Sequence, residues 1–349
     1  MERGPALGAR WRSRYDGLRL NTFRGLSHLP RRRLPRAAGR YASRDAFVDY
    51  LVAYARAHRL DVRLGVEALR VEPGERNAWT VATSDGPWRA PYVIVATGWD
   101  AEPKRPAWAA RSRFTGPLLH TSELTDLTGF RGRHVLVVGA GSSGIDIAGV
   151  LLRAGAAVTV SMRTPPNIFP RDWLGAPLGP SALLGEHLPA APVDAIGRFI
   201  QWQVYGDLSA YGIPRAPEGY ATRFRQTGVN PAVDDGFVNA LKAGRAAVVA
   251  EVQRLESDAA LLVTGERVAA DAIVLATGYR RGLERLVGHL NVLDDRGAPR
   301  HWRGAPGDPT TPGLYFAGFE VRLSGSIRAS AKHARRIAKA VTHNTREPG

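Results

Sequence analysis

Gly139, Gly141 and Gly144 stand in Gly-x-Gly-x-x-Gly spacing, a pattern that can hold a pyrophosphate. Just before them, His134-Val135-Leu136-Val137-Val138 reads as a short buried strand. Just after them, Ile145, Ile147, Ala148, Val150, Leu151 and Leu152 open a helix. Gly139 would make the tight turn, Gly141 would let backbone N–H groups approach the phosphates, and Gly144 would let the helix pack close to its strand. Ser142, Ser143, Ile145 and Asp146 complete the candidate nucleotide turn. An anion placed there meets the unpaired N–H groups and the positive dipole end of the helix. A second strand, Ala157–Ser161, follows at the distance a βαβ unit requires.

The end of that second strand chooses the cofactor. An acid there would hold a ribose 2′-hydroxyl, whereas an arginine would meet a 2′-phosphate. The strand runs into Ser161-Met162-Arg163, with Arg171 beyond it and no acid before Asp172. The reading is NADPH rather than NADH, with Arg163 as the principal clamp and Arg171 as a second. The alternative for Arg163 is a solvated strand-end charge.

These residues need a frame, and the composition allows one. The chain has 349 residues, 44% hydrophobic and 23% charged, which suits a globular protein of two ordinary domains. It contains no cysteine, which excludes a structural disulfide, a thiolate metal site and a Cys-x-x-Cys redox pair. No apolar run reaches the ~18 residues of a membrane span, and the first residues lack the apolar stretch of a signal peptide. A cytoplasmic location is expected from the cofactor. The net charge of +16 is mostly arginine and is scattered apart from Arg31-Arg32-Arg33. Nucleic-acid binding is therefore a minor reading, and no specific nucleic-acid partner is expected.

Residues 1–42 read as an irregular segment packed on something else. Ser43 can cap a helix from Arg44 to about His58. Strands are expected at Val62–Leu64, Val66–Val71 and Trp79–Thr83, with Pro73-Gly74-Glu75-Arg76-Asn77 as a hairpin loop. Tyr92–Ala96 then runs into Ala96-Thr97-Gly98-Trp99, and Ala272–Ala276 later runs into Ala276-Thr277-Gly278-Tyr279. The two copies bracket the dinucleotide unit, as they would if the chain left one domain and returned to it. Residues 164–235 are rich in Pro and Gly, with one helix expected near Ala195–Tyr205; further strands are expected at Ala247–Val252 and Ala260–Val263. Gly313–Gly318 reads as a strand into a glycine turn, followed by a helix over Ser326–Val341 whose outer face is basic.

Taken together these motifs resemble the flavin-containing monooxygenases. Residues 139–148 are similar to that family's NADP-binding segment. Phe114-Thr115-Gly116-Pro117-Leu118-Leu119-His120 resembles its Phe-x-Gly-x-x-x-His signature, although Leu124 stands where an aromatic residue usually does. The two Ala-Thr-Gly stretches resemble its domain-linking turns. Tyr15-Asp16-Gly17-Leu18-Arg19-Leu20-Asn21-Thr22 is similar to the segment that sets an Asn beside flavin and nicotinamide, and Gly8-Ala9-Arg10-Trp11 is close to the family's Gly-Gly-x-Trp.

The resemblance implies an α/β, two-dinucleotide-binding-domain (Rossmann-like) flavoprotein fold. It implies an FAD-type domain over 1–104 and 281–349 and an NADPH-binding domain over 105–280. Arg10, Trp11, Thr22, Thr97, Gly98, Thr277 and Gly278 would contact cofactor, and Asn21 would act in the chemistry. The family's reaction is hydride transfer from NADPH to FAD, then oxygen insertion into a small organic substrate from dioxygen through a flavin hydroperoxide. No acid–base dyad is needed, so His120 is read as structural. The family begins with a strand and a glycine turn for FAD, and the chain starts at what resembles the end of that first unit. A βαβ unit of roughly thirty or more residues is thus expected to be absent, through a start codon set too late or a genuine truncation. A start-site error is favoured, because a fragment would expose a large apolar surface. The chain as it stands is expected to bind FAD poorly. The alternative function is an NADPH-binding pseudoenzyme without flavin turnover.

Overall fold

The computed structural model describes residues 1–76, 78–301 and 308–344. The chain divides into two compact units. One comprises Met1–Arg12, Arg24–Glu102 and Tyr279–Gly349; the other comprises Ser13–Phe23 and Pro103–Gly278. The segment carrying Tyr15 and Asn21 therefore belongs with the second unit.

The second unit is built on a parallel sheet. Its strands are β1 (Leu118–His120), β2 (His134–Val138), β3 (Ala157–Ser161), β4 (Ala246–Val249) and β5 (Ala272–Leu275), in the order β4-β3-β2-β5-β1. Helix α1 (Ser142–Arg153) joins β2 to β3. The register is continuous: Val135 faces Val158 on one side and Ala272 on the other. Val135, Leu136 and Val137 are fully buried because both faces of the sheet are covered. Val135 and Val137 pack with Ile145, Ile147 and Leu151 of α1. Leu136 packs on the opposite face with Leu255, Leu262 and Ile273. Sheets covered on both faces need apolar residues at every position, which is why the strand is a run and not an alternation.

The Pro- and Gly-rich stretch is more ordered than its pattern suggests. The helix expected near Ala195–Tyr205 begins earlier and spans Ala190–Tyr205, with Pro192 in its first turn, where proline costs no hydrogen bond. Helices also form at Gly179–Gly185 and Tyr220–Thr227, and Ile168–Pro170 pairs with Ala232–Asp234 in parallel. These elements are short, so their periodicity is too brief to read. The expected strand 247–252 is broken into Ala246–Val249 and Val252–Leu255, with Ala250 and Glu251 between.

In the first unit, Ser43 caps the helix Arg44–Ala57 by accepting from the Ala46 N–H at 3.2 Å. Ala68–Pro73 pairs antiparallel with Trp79–Thr83; Asn77 of the expected loop lies outside the described residues. Val62–Leu64 is not a strand, and only Leu64 makes an isolated bridge, to Glu2. Val93–Val95 pairs in parallel with Leu314–Phe316, and a helix follows at Ser326–Asn344. The core there gathers Val71, Trp79, Val81, Val95, Leu314 and Phe316. Among the described residues no helix is long and apolar enough to cross a membrane.

Candidate functional site

The glycine turn of the second unit shows why each glycine is needed. Gly139 has φ +112°, and a Cβ there would sit 2.6 Å from the Ala276 carbonyl oxygen. A Cβ on Gly144 would fall 1.8 Å from the Gly139 carbonyl oxygen, so α1 could not lie against the turn. Gly141 differs: nothing lies within 4 Å of where its Cβ would be. The space above Gly141 is open, and no side chain caps the helix that starts at Ser142. Unspent N–H groups facing an open cradle fit a pyrophosphate.

That cradle lies in a cleft of about 540 Å³, also lined by Lys104, Arg163, Thr164, Arg223 and Glu251. Arg163 extends from the end of β3 with its side chain 78% exposed and pairs with Glu251 at 3.8 Å. Arg223 donates to the Pro165 carbonyl at 2.9 Å and so braces the loop that follows Arg163. Thr277 and Gly278, expected to contact cofactor, line this same cleft. The Thr277 hydroxyl donates to the Lys104 carbonyl. Thr164, Arg223 and Glu251 were not singled out by sequence. Arg223 lies on a helix hidden in the Pro- and Gly-rich stretch, and Glu251 lies just past the end of the neighbouring strand, not the one that follows the turn.

Arg171 is corrected. It does not line the cleft beside Arg163. Its side chain is 9% exposed and its guanidinium contacts Asp146 at 3.3 Å, Asp235 at 3.5 Å and the Asn21 side-chain oxygen at 3.3 Å. Those carboxylates hold it, so a phosphate clamp at Arg171 would require breaking buried pairs. Asp146 is likewise a buried strut and not a ligand contact. Its second oxygen accepts from the Tyr15 phenol. Burial raises the Asp146 carboxyl above its ordinary range, and the Tyr15 hydrogen bond and Arg171 oppose that shift. Burial, then the Asp146 charge, push the Tyr15 phenol well up.

This network reaches the nucleotide turn through Asn21. The Asn21 amide donates to the Ser142 hydroxyl at 3.3 Å while its oxygen accepts from Arg171. Asn21 itself is exposed, so a side chain at the surface is held in one orientation from below. Thr22 follows it, half-buried, Ser143 is exposed, and Ile145 is buried in the core.

His120 is structural in form. It is fully buried, with Nδ1 2.9 Å from the Ser122 hydroxyl and Nε2 3.0 Å from the Gly278 carbonyl. Burial lowers its pKa, which keeps the ring neutral. It ties the end of β1 to the turn after β5. Gly116 of the same signature has a reason as well: a Cβ would meet the Asp271 carbonyl oxygen at 2.6 Å. Leu124 is buried as an apolar core residue.

In the first unit, Val93–Val95 runs into Thr97, which is exposed, and Gly98, which has φ +80° and open space around its Cβ position. The next residue, Trp99, lies under the Arg281 guanidinium at 3.9 Å, and its buried indole N–H has no hydrogen-bond partner among the described residues. Arg10 donates to the Asp100 carbonyl and lies over the Tyr279 ring, and Trp11 packs edge-on against Phe47 at 4.8 Å. Leu314–Phe316 runs into Gly318, at φ +84°, ahead of the helix from Ser326. An open glycine at a strand end beside an unspent buried donor fits a polar ring system such as a flavin. Sequence also did not signal a buried cluster there: Glu320 bridges Arg322 at 2.7 Å and His333 at 2.6 Å.

Residues 24–172 match the pyridine nucleotide-disulphide oxidoreductase family. Across 358 residues the chain is 31% identical to indole-3-pyruvate monooxygenase YUCCA1 of Oryza sativa subsp. japonica, covering 99% of this chain and 86% of the relative. It is 29% identical to probable indole-3-pyruvate monooxygenase YUCCA4 of Arabidopsis thaliana, covering 97% and 83%. Among solved structures, a steroid monooxygenase bound to NADP superposes with a TM-score of 0.73 at 18% identity, covering 99% of this chain and 80% of that one. A flavin-containing monooxygenase from Stenotrophomonas maltophilia superposes with a TM-score of 0.67 at 21% identity, covering 96% and 88%. At those identities the two structures bear on the fold alone.

Proposed function

The chain belongs to the flavin-containing monooxygenase family, and we propose that it is an NADPH-dependent monooxygenase that inserts one atom of dioxygen into a small organic substrate. Its cofactors are FAD and NADPH. FAD, when bound, supplies the redox chemistry: it takes hydride from NADPH and activates dioxygen. Thr97, Gly98 and Trp99, with Arg10, Trp11 and Gly318, are the residues of the first unit suited to hold it.

The protein's own part is binding and orientation. The N–H groups around Gly141 and Ser142 take the nucleotide pyrophosphate, and Arg163 takes the 2′-phosphate. Asn21, fixed by Ser142 and Arg171, presents an amide beside the start of α1. An amide offers both donors and an acceptor, so it can hold a polar ring edge and keep water from the reacting atoms. No side chain is asked to act as general acid or base; His120 has both ring nitrogens engaged. The two plant relatives are named for action on indole-3-pyruvate, which makes an aryl 2-oxo acid the first substrate to offer.

The observation that carries the nucleotide assignment is the open cradle at Gly141 with Arg163 at the end of the next strand. A charge-assisted contact contributes about 1.5–3 kcal/mol. Arg163 is largely exposed, so the lower end applies, roughly tenfold in affinity. Arg163→Ala should weaken NADPH by about that factor and leave NADH nearly unchanged in a direct titration. Equal losses for both nucleotides would make Arg163 a structural residue and remove the assignment.

A further inference from the structure

The cleft holds an acid that recognition of a 2′-phosphate does not require. The parallel pairing of Ala246–Val249 with Val158–Ser161 brings the residues after β4 alongside those after β3. The Met162 N–H donates to the Val249 carbonyl at 3.0 Å, and the Ser161 hydroxyl donates to the Ala250 carbonyl at 2.8 Å. On the other side of the strand break, the Val263 N–H donates to the Glu251 carbonyl at 2.9 Å. Glu251 is thus fixed just past the end of one strand, beside Arg163 past the end of its neighbour. A carboxylate oxygen lies 3.8 Å from the guanidinium, and both side chains line the cleft with the glycine turn.

The two groups ask for different sugars. An arginine grips a phosphate dianion, whereas a carboxylate accepts a hydrogen bond from a hydroxyl and repels a phosphate. Dinucleotide folds that take NADH place an acid at the end of the strand after the turn to accept from the ribose 2′-hydroxyl. Here that strand ends in Arg163, and the acid reaches the same edge from the adjacent strand. Glu251 also partly neutralises Arg163, which weakens the grip on a phosphate.

We propose that Glu251 is a coenzyme-specificity residue: it admits NADH to the cleft by accepting from the 2′-hydroxyl and holds down the NADPH preference that Arg163 alone would set. This rests on the assignment of the cleft to a nicotinamide nucleotide. Both poles sit in one site, so the bound nucleotide chooses its partner. With a 2′-phosphate, Arg163 turns to it and Glu251 is a cost. With a 2′-hydroxyl, Glu251 accepts and Arg163 stays paired or turns to solvent.

The test is calorimetric titration of the full chain, as wild type, Glu251→Gln and Arg163→Ala, with adenosine 2′,5′-bisphosphate and with 5′-AMP. Glu251→Gln should bind the bisphosphate roughly fivefold more tightly and 5′-AMP roughly fivefold more weakly, the scale of a half-exposed charge contact. Unchanged affinities in Glu251→Gln, or both moving the same way, would overturn the role of Glu251. If at the same time Arg163→Ala still lost the bisphosphate selectively, the NADPH assignment would survive that failure. If wild type bound neither probe, both would fall.

Discussion

Replacing Arg171 with Met tests the buried network beneath the nucleotide turn. Asp146 would keep the Tyr15 phenol but lose the Arg171 guanidinium at 3.3 Å, while Asp235 would keep Arg153 at 3.1 Å. One carboxylate is therefore stranded. Breaking a buried pair from one side costs about 3–5 kcal/mol, and the retained phenol points to the lower half of that range. Protonation offers Asp146 an escape whose cost grows by about 1.4 kcal/mol per pH unit above the ordinary carboxyl pKa near 4. At pH 5.5 the loss is thus capped near ~2 kcal/mol, and at pH 8 the cap lies above the whole range. The sign follows from the direction of the shift. Burial already raises Asp146, and removing Arg171 raises it further, so the folded state holds this proton more tightly than the unfolded chain does. Stability is then lost as pH rises from the unfolded toward the folded pKa. Thermal unfolding should show a drop of about 6–16 °C at pH 8 for a unit of this size, and about 4–8 °C at pH 5.5. Arg171→Lys should recover part of the loss, since it keeps charge without the planar fork. An equal drop at both pH values, or less than about 2 °C at pH 8, would refute the account of Arg171 as a strut.

Two further substitutions examine the turn and Asn21. Gly141→Ala should fold normally, because its backbone is extended and its Cβ meets open space, yet bind NADPH at least about tenfold more weakly; Gly144→Ala should lower the melting temperature instead, because its Cβ would overlap the Gly139 carbonyl. Intact NADPH affinity in a folded Gly141→Ala protein would show that the pyrophosphate lies elsewhere. In FAD-loaded protein, Asn21→Asp and Asn21→Leu should still oxidise NADPH but release hydrogen peroxide in place of oxygenated product, read as product and peroxide formed per NADPH consumed. Unchanged coupling in both variants would reduce Asn21 to a turn residue.

Much of the second unit was legible because its signals are local. The strand at 134–138, the three glycines and the helix from Ser142 lie within a short stretch, and each glycine answers a backbone constraint set by its immediate surroundings or by the strand that must lie beside it. His120 was legible as structural because the chemistry required no base. Less was legible where order comes from distant contacts. Helices at Gly179–Gly185 and Tyr220–Thr227 are too short to show a period, and the strand expected over 247–252 breaks at Ala250 and Glu251.

The two arginines after the second strand mark the boundary most clearly. From sequence, glycine spacing and a helix start determine where the N–H groups of the turn point, and with that came the expectation that it faces an anion. It also placed two arginines within reach of the expected 2′-phosphate, and by residue type they are equivalent. Only the tertiary structure separated them. Arg163 leaves a strand end into an open cleft, whereas Arg171 meets a carboxylate 25 positions earlier and an amide 150 positions earlier in the chain. A guanidinium is drawn to whichever anions surround it, and in Arg171 those anions are supplied by segments that only folding brings together.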